Sequence, residues 1–355
     1  MRIATWNVEN LFAPGTSDAA PTTQTAYEAK IESLATTIAG IAPDVIALQE
    51  VGPPPVLDDL AVAIGGTWHH EVAAPDGRGI RVAIMSRRTL HDVAQVTAFP
   101  AGLGPVQVDD NGATINALGR PALNATVRAG GHEVHLVDVH LKSKLLPFPG
   151  GRFSTKDEGQ RARFAVYALH RRAAEAAGVR AYATSLLATP TDGAVPAVVV
   201  AGDMNDDPTA ATTQILYGPP GSEIGTGGFD HPDSGDAQRL WNLADLIPEP
   251  DRYSRVFRGR RELIDHLLVS QPLVRAVTGV AAGPHPAPSV TEDPNSRKDQ
   301  TWFGPSAGMG GLPRCVDDLA RTLDCPVGLL DDDNRRRAGF VVGECSDEWN
   351  GNERD

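Results

Sequence analysis

Six polar side chains stand at or near the ends of apolar runs: Asn7, Glu50, His140, the pair Asp203 and Asn205, and Asp265. Any one of them alone is an ordinary cap or turn former. Six in one chain point to a shared site, because function in layered α/β proteins gathers at strand ends. The chemistry they can share is metal-assisted hydrolysis of a phosphoester. Glu50 offers a hard oxygen to Mg²⁺ or Mn²⁺, and Asn7 offers a neutral carbonyl oxygen or a donor to a phosphate oxygen. One firm carboxylate is enough, since Mg²⁺ keeps several of its waters. Asp203 can orient or deprotonate a water. Asn205, two residues on, can hold that water or the phosphate. His140 can hydrogen-bond a non-bridging oxygen as charge builds on it. Asp265 lies among Leu263, Ile264, Leu267 and Leu268. A carboxylate there is costly without a cation or a histidine partner.

Hydrophobic periodicity outlines the elements that must carry these residues. Arg2 to Asn7 alternates as a strand. Ile31, Leu34, Ala35 and Ile38 recur at helical spacing over 28–41, and Pro43 follows as a stop. Asp44 to Leu48 is a short apolar strand ending at Gln49-Glu50, and 56–64 reads as a short helix. Strands are expected at 79–86 and 93–99, and a hairpin joins 121–127 to 133–140 through Gly130-Gly131. A loop over 145–153 leads to a long helix over 156–187, with Gly178 as a break point. The run AVVVA at 197–201 reads as a strand deep in a sheet, ending at Gly202-Asp203-Met204-Asn205. A Gly/Pro/Asp-rich loop at 218–235 precedes strands at 263–270 and 274–282. Strands interleaved with substantial helices predict α/β layers.

Hydrophobic residues at 41% and charged residues at 22% are ordinary globular values. The 36 glycines and 28 prolines imply many loops without reaching low-complexity disorder. A net charge of −13 does not favour nucleic acid as a partner. It does suit a chain that holds a divalent cation, and it also aids solubility. Cys315, Cys325 and Cys345 are odd in number and lack zinc spacing. No apolar run spans a bilayer and the first residues lack a signal-peptide core, so a cytoplasmic protein is expected. Beyond about residue 284 Pro and Gly become dense, and blocks appear at Asp331–Asp333 and Arg335–Arg337. The expected organisation is one domain over 1–298 and an atypical, poorly ordered tail over 299–355.

Five segments together carry a resemblance: IATWNVENL at 3–11, DVIALQEV at 44–51, VDVHLKSK at 137–144, VVVAGDMND at 198–206 and LIDHLLVS at 263–270. In this order the chain resembles the endonuclease/exonuclease/phosphatase superfamily of deoxyribonuclease I, abasic-site endonucleases, neutral sphingomyelinases and inositol-polyphosphate phosphatases. The resemblance covers about residues 1–298. It implies a four-layer α/β/β/α sandwich of two mixed sheets flanked by helices. It also implies a divalent-metal-dependent phosphodiesterase, nuclease or phosphatase. Position by position, it assigns Asn7 and Glu50 to the metal site and His140 to stabilising the phosphate. Asp203 would activate the nucleophile or assist the leaving group, and Asn205 would position the reacting groups. Asp265 would pair with a histidine from a C-terminal S-D-H motif.

Around that motif the sequence departs from the family. The residues at 296–303 are SRKDQTWF, so Asp299 falls at the motif's aspartate and Gln300 where histidine is expected. The closest substitute in sequence, His285, lies between two prolines. Weak activity is therefore expected, and the alternative is a phosphate-binding module of the same fold. Other polar residues read as structural. Lys142 and Lys144 belong to a solvated loop, Arg81 to a surface salt bridge and His69-His70 to a polar strand edge, while Arg161, near the start of the long helix, is a lesser candidate for touching phosphate. His266, next to Asp265, faces the opposite side of its strand as a packing histidine.

Overall fold

The computed structural model describes residues 1–188, 196–231, 235–257, 259–284 and 339–345. The strands begin with β1 (Arg2–Leu11), β2 (Val45–Val51), β3 (His69–Val72), β4 (Arg81–Ser86) and β5 (His91–Ala98). A small ribbon of β6 (Val106–Gln107) and β7 (Thr114–Ile115) follows, then β8 (Ala117–Ala129), β9 (His132–His140), β10 (Ala197–Asp203) and β11 (Leu240–Asn242). A second ribbon of β12 (Arg255–Phe257) and β13 (Arg260–Glu262) leads to β14 (Asp265–Ser270), β15 (Val277–Pro284) and β16 (Gly339–Cys345). The principal helices are α1 (Gln24–Ile41), α2 (Pro55–Ile64), α3 (Glu158–Leu187) and α4 (Ala211–Tyr217).

Two six-stranded sheets result, ordered β15-β16-β1-β2-β4-β3 and β11-β14-β10-β9-β8-β5. Both are mixed: β1 runs parallel to β2 and β9 parallel to β10, while their other neighbours are antiparallel. Strand alternation sorts the apolar side chains into three cores. Ile3, Val45, Ala47 and Ile84 of the first sheet meet Leu123, Leu136, Val199 and Leu267 of the second. The other face of the first sheet, with Trp6, Ile46 and Leu48, is covered by Ile31, Leu34 and Ile38 of α1 and Leu57 and Leu60 of α2. Val137, Val139, Val198 and Val200 turn the other way, onto Ala176, Val179 and Ala183 of α3 and Leu216 of α4. The layers are therefore helix, sheet, sheet, helix, the sandwich expected from the sequence.

Two expectations change. Helix α3 runs unbroken through Gly178. A Cβ there would lie 2.9 Å from the Ala98 carbonyl oxygen and 3.0 Å from Leu118 Cδ1. The residue is glycine because the helix lies close on the sheet edge, and that contact outweighs the local propensity cost. Beyond the expected boundary at residue 298, Gly339–Cys345 forms β16, which pairs antiparallel with both β1 and β15. So part of the segment expected to be poorly ordered completes the first sheet, where its Phe340 stands opposite Trp6. Asp299, Gln300, His285 and the charge blocks at 331–337 lie outside the described residues. Among the described residues no helix is long and apolar enough to cross a membrane.

Candidate active site

The second sheet places three of the expected residues in one row. Asp203, the last residue of β10, stands in register with His140 of β9 on one side and Asp265 of β14 on the other. Directly opposed residues project to the same face. Here that face is the one that meets the first sheet, since Leu136, Val199 and Leu267 lie on it two or four residues away. All three are buried.

The first sheet supplies Asn7 and Glu50, by different routes. Asn7 follows Ile3 and Thr5 on the inward side of β1. Glu50 should not face inward, because it continues the alternation of Ile46 and Leu48 toward α1 and α2. An irregularity in register between Gln49 and Val51 reverses it, with Glu50 held at φ 62°. A matching irregularity in β1 follows Asn7, and there Glu9 and Asn10 take φ 50° and 55°. Such bulges re-aim side chains beside functional sites, and a left-handed non-glycine residue costs about 1–2 kcal/mol. Asn205, at φ 55°, is a fourth such residue at the same end of the sandwich. Strain is gathered where the polar groups converge, as at sites shaped for chemistry. Lys30 of α1 braces the β1 turn by donating to the carbonyls of Glu9 and Asn10, and burial pulls its ammonium down to about 8.

The resulting cluster is tightly bonded. Asn7 Nδ2 donates to Glu50 Oε1 at 3.1 Å and to Asp203 Oδ2 at 3.0 Å. Asn7 Oδ1 accepts the Glu9 N–H at 3.0 Å, which leaves it a second lone pair. Glu50 Oε2 accepts the Asn10 N–H at 3.2 Å. Asp203 Oδ1 accepts the Asn205 N–H at 2.8 Å, and Asn205 Nδ2 donates to the Leu141 carbonyl at 3.0 Å. His140 Nε2 lies 3.6 Å from Asp203 Oδ2 and 3.9 Å from Glu50 Oε1. Asn7, Glu50, His140, Asp203 and Asn205 are thus brought together, with Asp265 beside Asp203 in the same row. Among the described residues no group of three or more His, Cys, Asp or Glu is arranged to hold a metal ion. The donors that do converge fit a hard cation that keeps its waters. They are the Glu50 oxygens and the lone pair left on Asn7 Oδ1, a set Mg²⁺ accepts with water in its remaining positions.

Helix α3 fixes the loops around this cluster. Glu175 accepts the Lys142 N–H at 2.6 Å and the Gly119 N–H at 3.1 Å. Asp206, three residues past Asp203, binds Arg172 at 3.0 Å, Lys144 at 2.8 Å and the Thr212 hydroxyl at 2.6 Å. Burial pushes the Asp206 carboxyl up, but these donors outweigh it and hold the group below its usual range. Lys144 is therefore an anchor of the mouth rather than a merely solvated loop residue. Lys142 turns its ammonium onto the carbonyls of Ser143 and Leu145, and burial lowers it to about 8. Arg81 is tied to the Gly79 carbonyl and Arg161 to Glu158. His70 pairs with Asp58.

His266 packs as expected, facing away from the row. Its Nε2 donates to the Asp206 carbonyl at 2.9 Å, so Nδ1 is the acceptor, facing Asn242 Nδ2 at 3.3 Å. Burial lowers the imidazole from 6.5 to about 4. The folded state thus refuses a proton that the unfolded chain binds between those values. The His266 contribution is complete above pH 6.5 and is lost as pH falls toward 4, amounting to about 3 kcal/mol. His266→Gln is expected to flatten this part of the stability profile, read as urea midpoints at several pH values. Equal slopes in both proteins over the window would remove His266 as its source.

Two groups linked to the row, buried Arg120 and half-buried Asp76, were not apparent from residue type or spacing. Arg120, mid-strand in β8, reaches His140, and Asp76, in the turn before β4, reaches Arg120. The only signal for either was a charged residue in an apolar strand and a D-G-R-G turn.

A sequence model described as the endonuclease/exonuclease/phosphatase family matches residues 4–303. No curated protein matches the chain. Among solved structures it is similar to an endonuclease/exonuclease/phosphatase family protein from Leptotrichia buccalis C-1013-b, at 14% identity over 98% of this chain and 99% of that one, TM-score 0.49. It is also similar to the 3'-5' exonuclease NExo from Neisseria meningitidis, at 16% identity over 97% and 99%, TM-score 0.48. A third is TDP2 from C. elegans, at 14% identity over 79% and 67%, TM-score 0.45.

Proposed function

The chain belongs to the endonuclease/exonuclease/phosphatase family, whose members hydrolyse phosphoesters, and from that premise we propose that it is a Mg²⁺- or Mn²⁺-dependent phosphoester hydrolase using in-line attack by water. The observation that carries this reading is the single buried cluster of Glu50, Asn7, Asp203, Asn205 and His140, assembled from both sheets. Glu50 and Asn7 are the residues that would hold the ion. When bound, the ion neutralises charge on the phosphoryl oxygens. Asp203 takes the proton of the attacking water, held by the Asn7 and Asn205 donors on its two oxygens. The water oxygen bonds to phosphorus, the phosphorus–oxygen bond of the leaving group breaks, and the departing oxygen takes a proton from solvent. Asn205 positions the reacting groups, and His140 hydrogen-bonds a non-bridging oxygen as charge develops. Asp265, in the same row, adds negative charge that a cation would offset.

The test is a panel of DNA, RNA, phospholipid and small phosphoesters, including bis-p-nitrophenyl phosphate, each with Mg²⁺, with Mn²⁺ and with chelator. Metal-dependent turnover of at least one class is expected. Binding of phosphoesters with no turnover of any would replace this reading with a phosphate-binding module.

Glu50→Gln is expected to leave the fold intact, since the amide oxygen can still accept from either Asn7 or Asn10 and a strand-end side chain adds little to the core. It should weaken Mg²⁺ binding by at least the ~10–100-fold that loss of an outer-shell partner costs. Calorimetric titration with Mg²⁺ measures this, and an unchanged isotherm would remove Glu50 from the metal site.

A further inference from the structure

We propose that Arg120 is a positioning residue that fixes His140 as its Nε2–H tautomer, so that His140 serves the reaction as a neutral hydrogen-bond donor. This rests on the hydrolase reading for its purpose but not for its geometry. Arg120 projects from β8 beside β9 and is buried, with Nη1 2.5 Å from His140 Nδ1. A guanidinium has five donors and no acceptor. The lone pair must therefore be on Nδ1, and the neutral ring carries its proton on Nε2. That nitrogen points into the cluster, between Asp203 Oδ2 and Glu50 Oε1 and beyond hydrogen-bond length of both. It is placed to donate to an oxygen that enters between them. The opposite tautomer would set an N–H against a guanidinium N–H. It would also offer a lone pair to two carboxylates and to any phosphate oxygen.

Arg120 is itself held. Asp76 Oδ1 accepts the N–H groups of Arg78 and Ile80, which closes the turn before β4. That leaves Oδ2 to face Arg120 Nε at 3.6 Å. A chain of contacts thus runs from a surface turn of the first sheet through Asp76 and Arg120 to the His140 ring. Burial lowers the Arg120 guanidinium, and the charges of Asp76, Glu175 and Glu50 oppose that.

The test needs no substrate. In the full-length protein with ¹⁵N-labelled histidine, two-bond ¹H–¹⁵N correlation spectra at mildly alkaline pH report each ring's tautomer. His140 is assigned by its loss in His140→Gln. Expected for the wild type is an unprotonated, pyridine-type Nδ1 and a protonated Nε2. Arg120→Met should shift the ring toward the averaged pattern of free imidazole, and Arg120→Lys, which keeps a donor, should restore the tautomer. On the best substrate of the panel, Arg120→Met should lower kcat by ~10–100-fold, the range for partners that orient a functional histidine, with a smaller change in KM. A wild-type Nδ1–H ring, or an unaltered tautomer in Arg120→Met, would overturn the proposal whatever the activity. The expected spectra without turnover of any phosphoester would leave the positioning intact and overturn the hydrolase reading instead. The wild-type spectrum decides the tautomer even if Arg120→Met does not fold.

Discussion

Asp203→Ala lowers kcat by about 10²–10⁴-fold, the range of a general base, and leaves KM within a few-fold. The reason is the use each oxygen is put to. Oδ1 is held by the Asn205 N–H and Oδ2 by Asn7 Nδ2, so the carboxylate is fixed before substrate arrives. A fixed carboxylate adds little to ground-state binding of an anionic phosphoester and contributes mainly as a proton leaves water. Asp203→Asn preserves the shape and an acceptor oxygen, and should lose nearly as much. Steady-state rates on the best substrate, with near-ultraviolet circular dichroism as a check of fold, measure both variants. Wild-type kcat in either one would remove Asp203 from the reaction.

The second large effect is on stability. Asp138, two residues before His140, is fully buried between the sheets. Oδ1 accepts Gln49 Nε2 at 2.6 Å and Oδ2 accepts the Ala83 N–H at 3.2 Å. Gln49 Nε2 also reaches Thr5 Oγ1 at 3.1 Å. One carboxyl thus links β9 to β1, β2 and β4, directly behind Glu50 and His140. Asp138→Leu strands two buried donors, each costing about 1–3 kcal/mol. A lower urea midpoint with an unchanged m value is the expected result, and an unchanged midpoint would show that the link is not used. Burial pushes this carboxyl well above its usual range, although Gln49 and backbone donors oppose it. The folded state keeps the proton longer than the unfolded chain does. The Asp138 contribution is therefore present below pH ~3.8 and declines as pH rises through the raised value.

Much of this arrangement could be read from residue order, because strand alternation is a strong physical rule. Ala197 to Ala201, Leu263 to Ser270 and the hairpin ending at His140 are legible as strands from pattern alone. The same rule separated Asp265 from His266. It fails at Glu50, where alternation directs the side chain to the helices and a left-handed bulge turns it inward. No local pattern marks that bulge, since a glutamate at positive φ is disfavoured by its own backbone. Gly178 misleads for a related reason: a glycine inside a helical pattern weakens it locally, whereas here it answers a neighbour distant in sequence. Arg120 and Asp76 act only through contacts across strands, which spacing along the chain does not encode. Asp299 and Gln300 lie outside the described residues.

That late strand bears on how the molecule is made. Residue 2 is paired with residue 344, so the first sheet cannot close until about 340 further residues have been synthesised. Until then β1 and β15 each present a bare edge, and such an edge is a template for any extended segment nearby. The entropy of bringing the ends of so long a connection together grows only slowly with its length, so closure is affordable but comes last. A chain that stops short of residue 339 keeps every group of the active-site cluster described above. What it lacks is the strand that covers the edge of β1 and ties β15 into the first sheet.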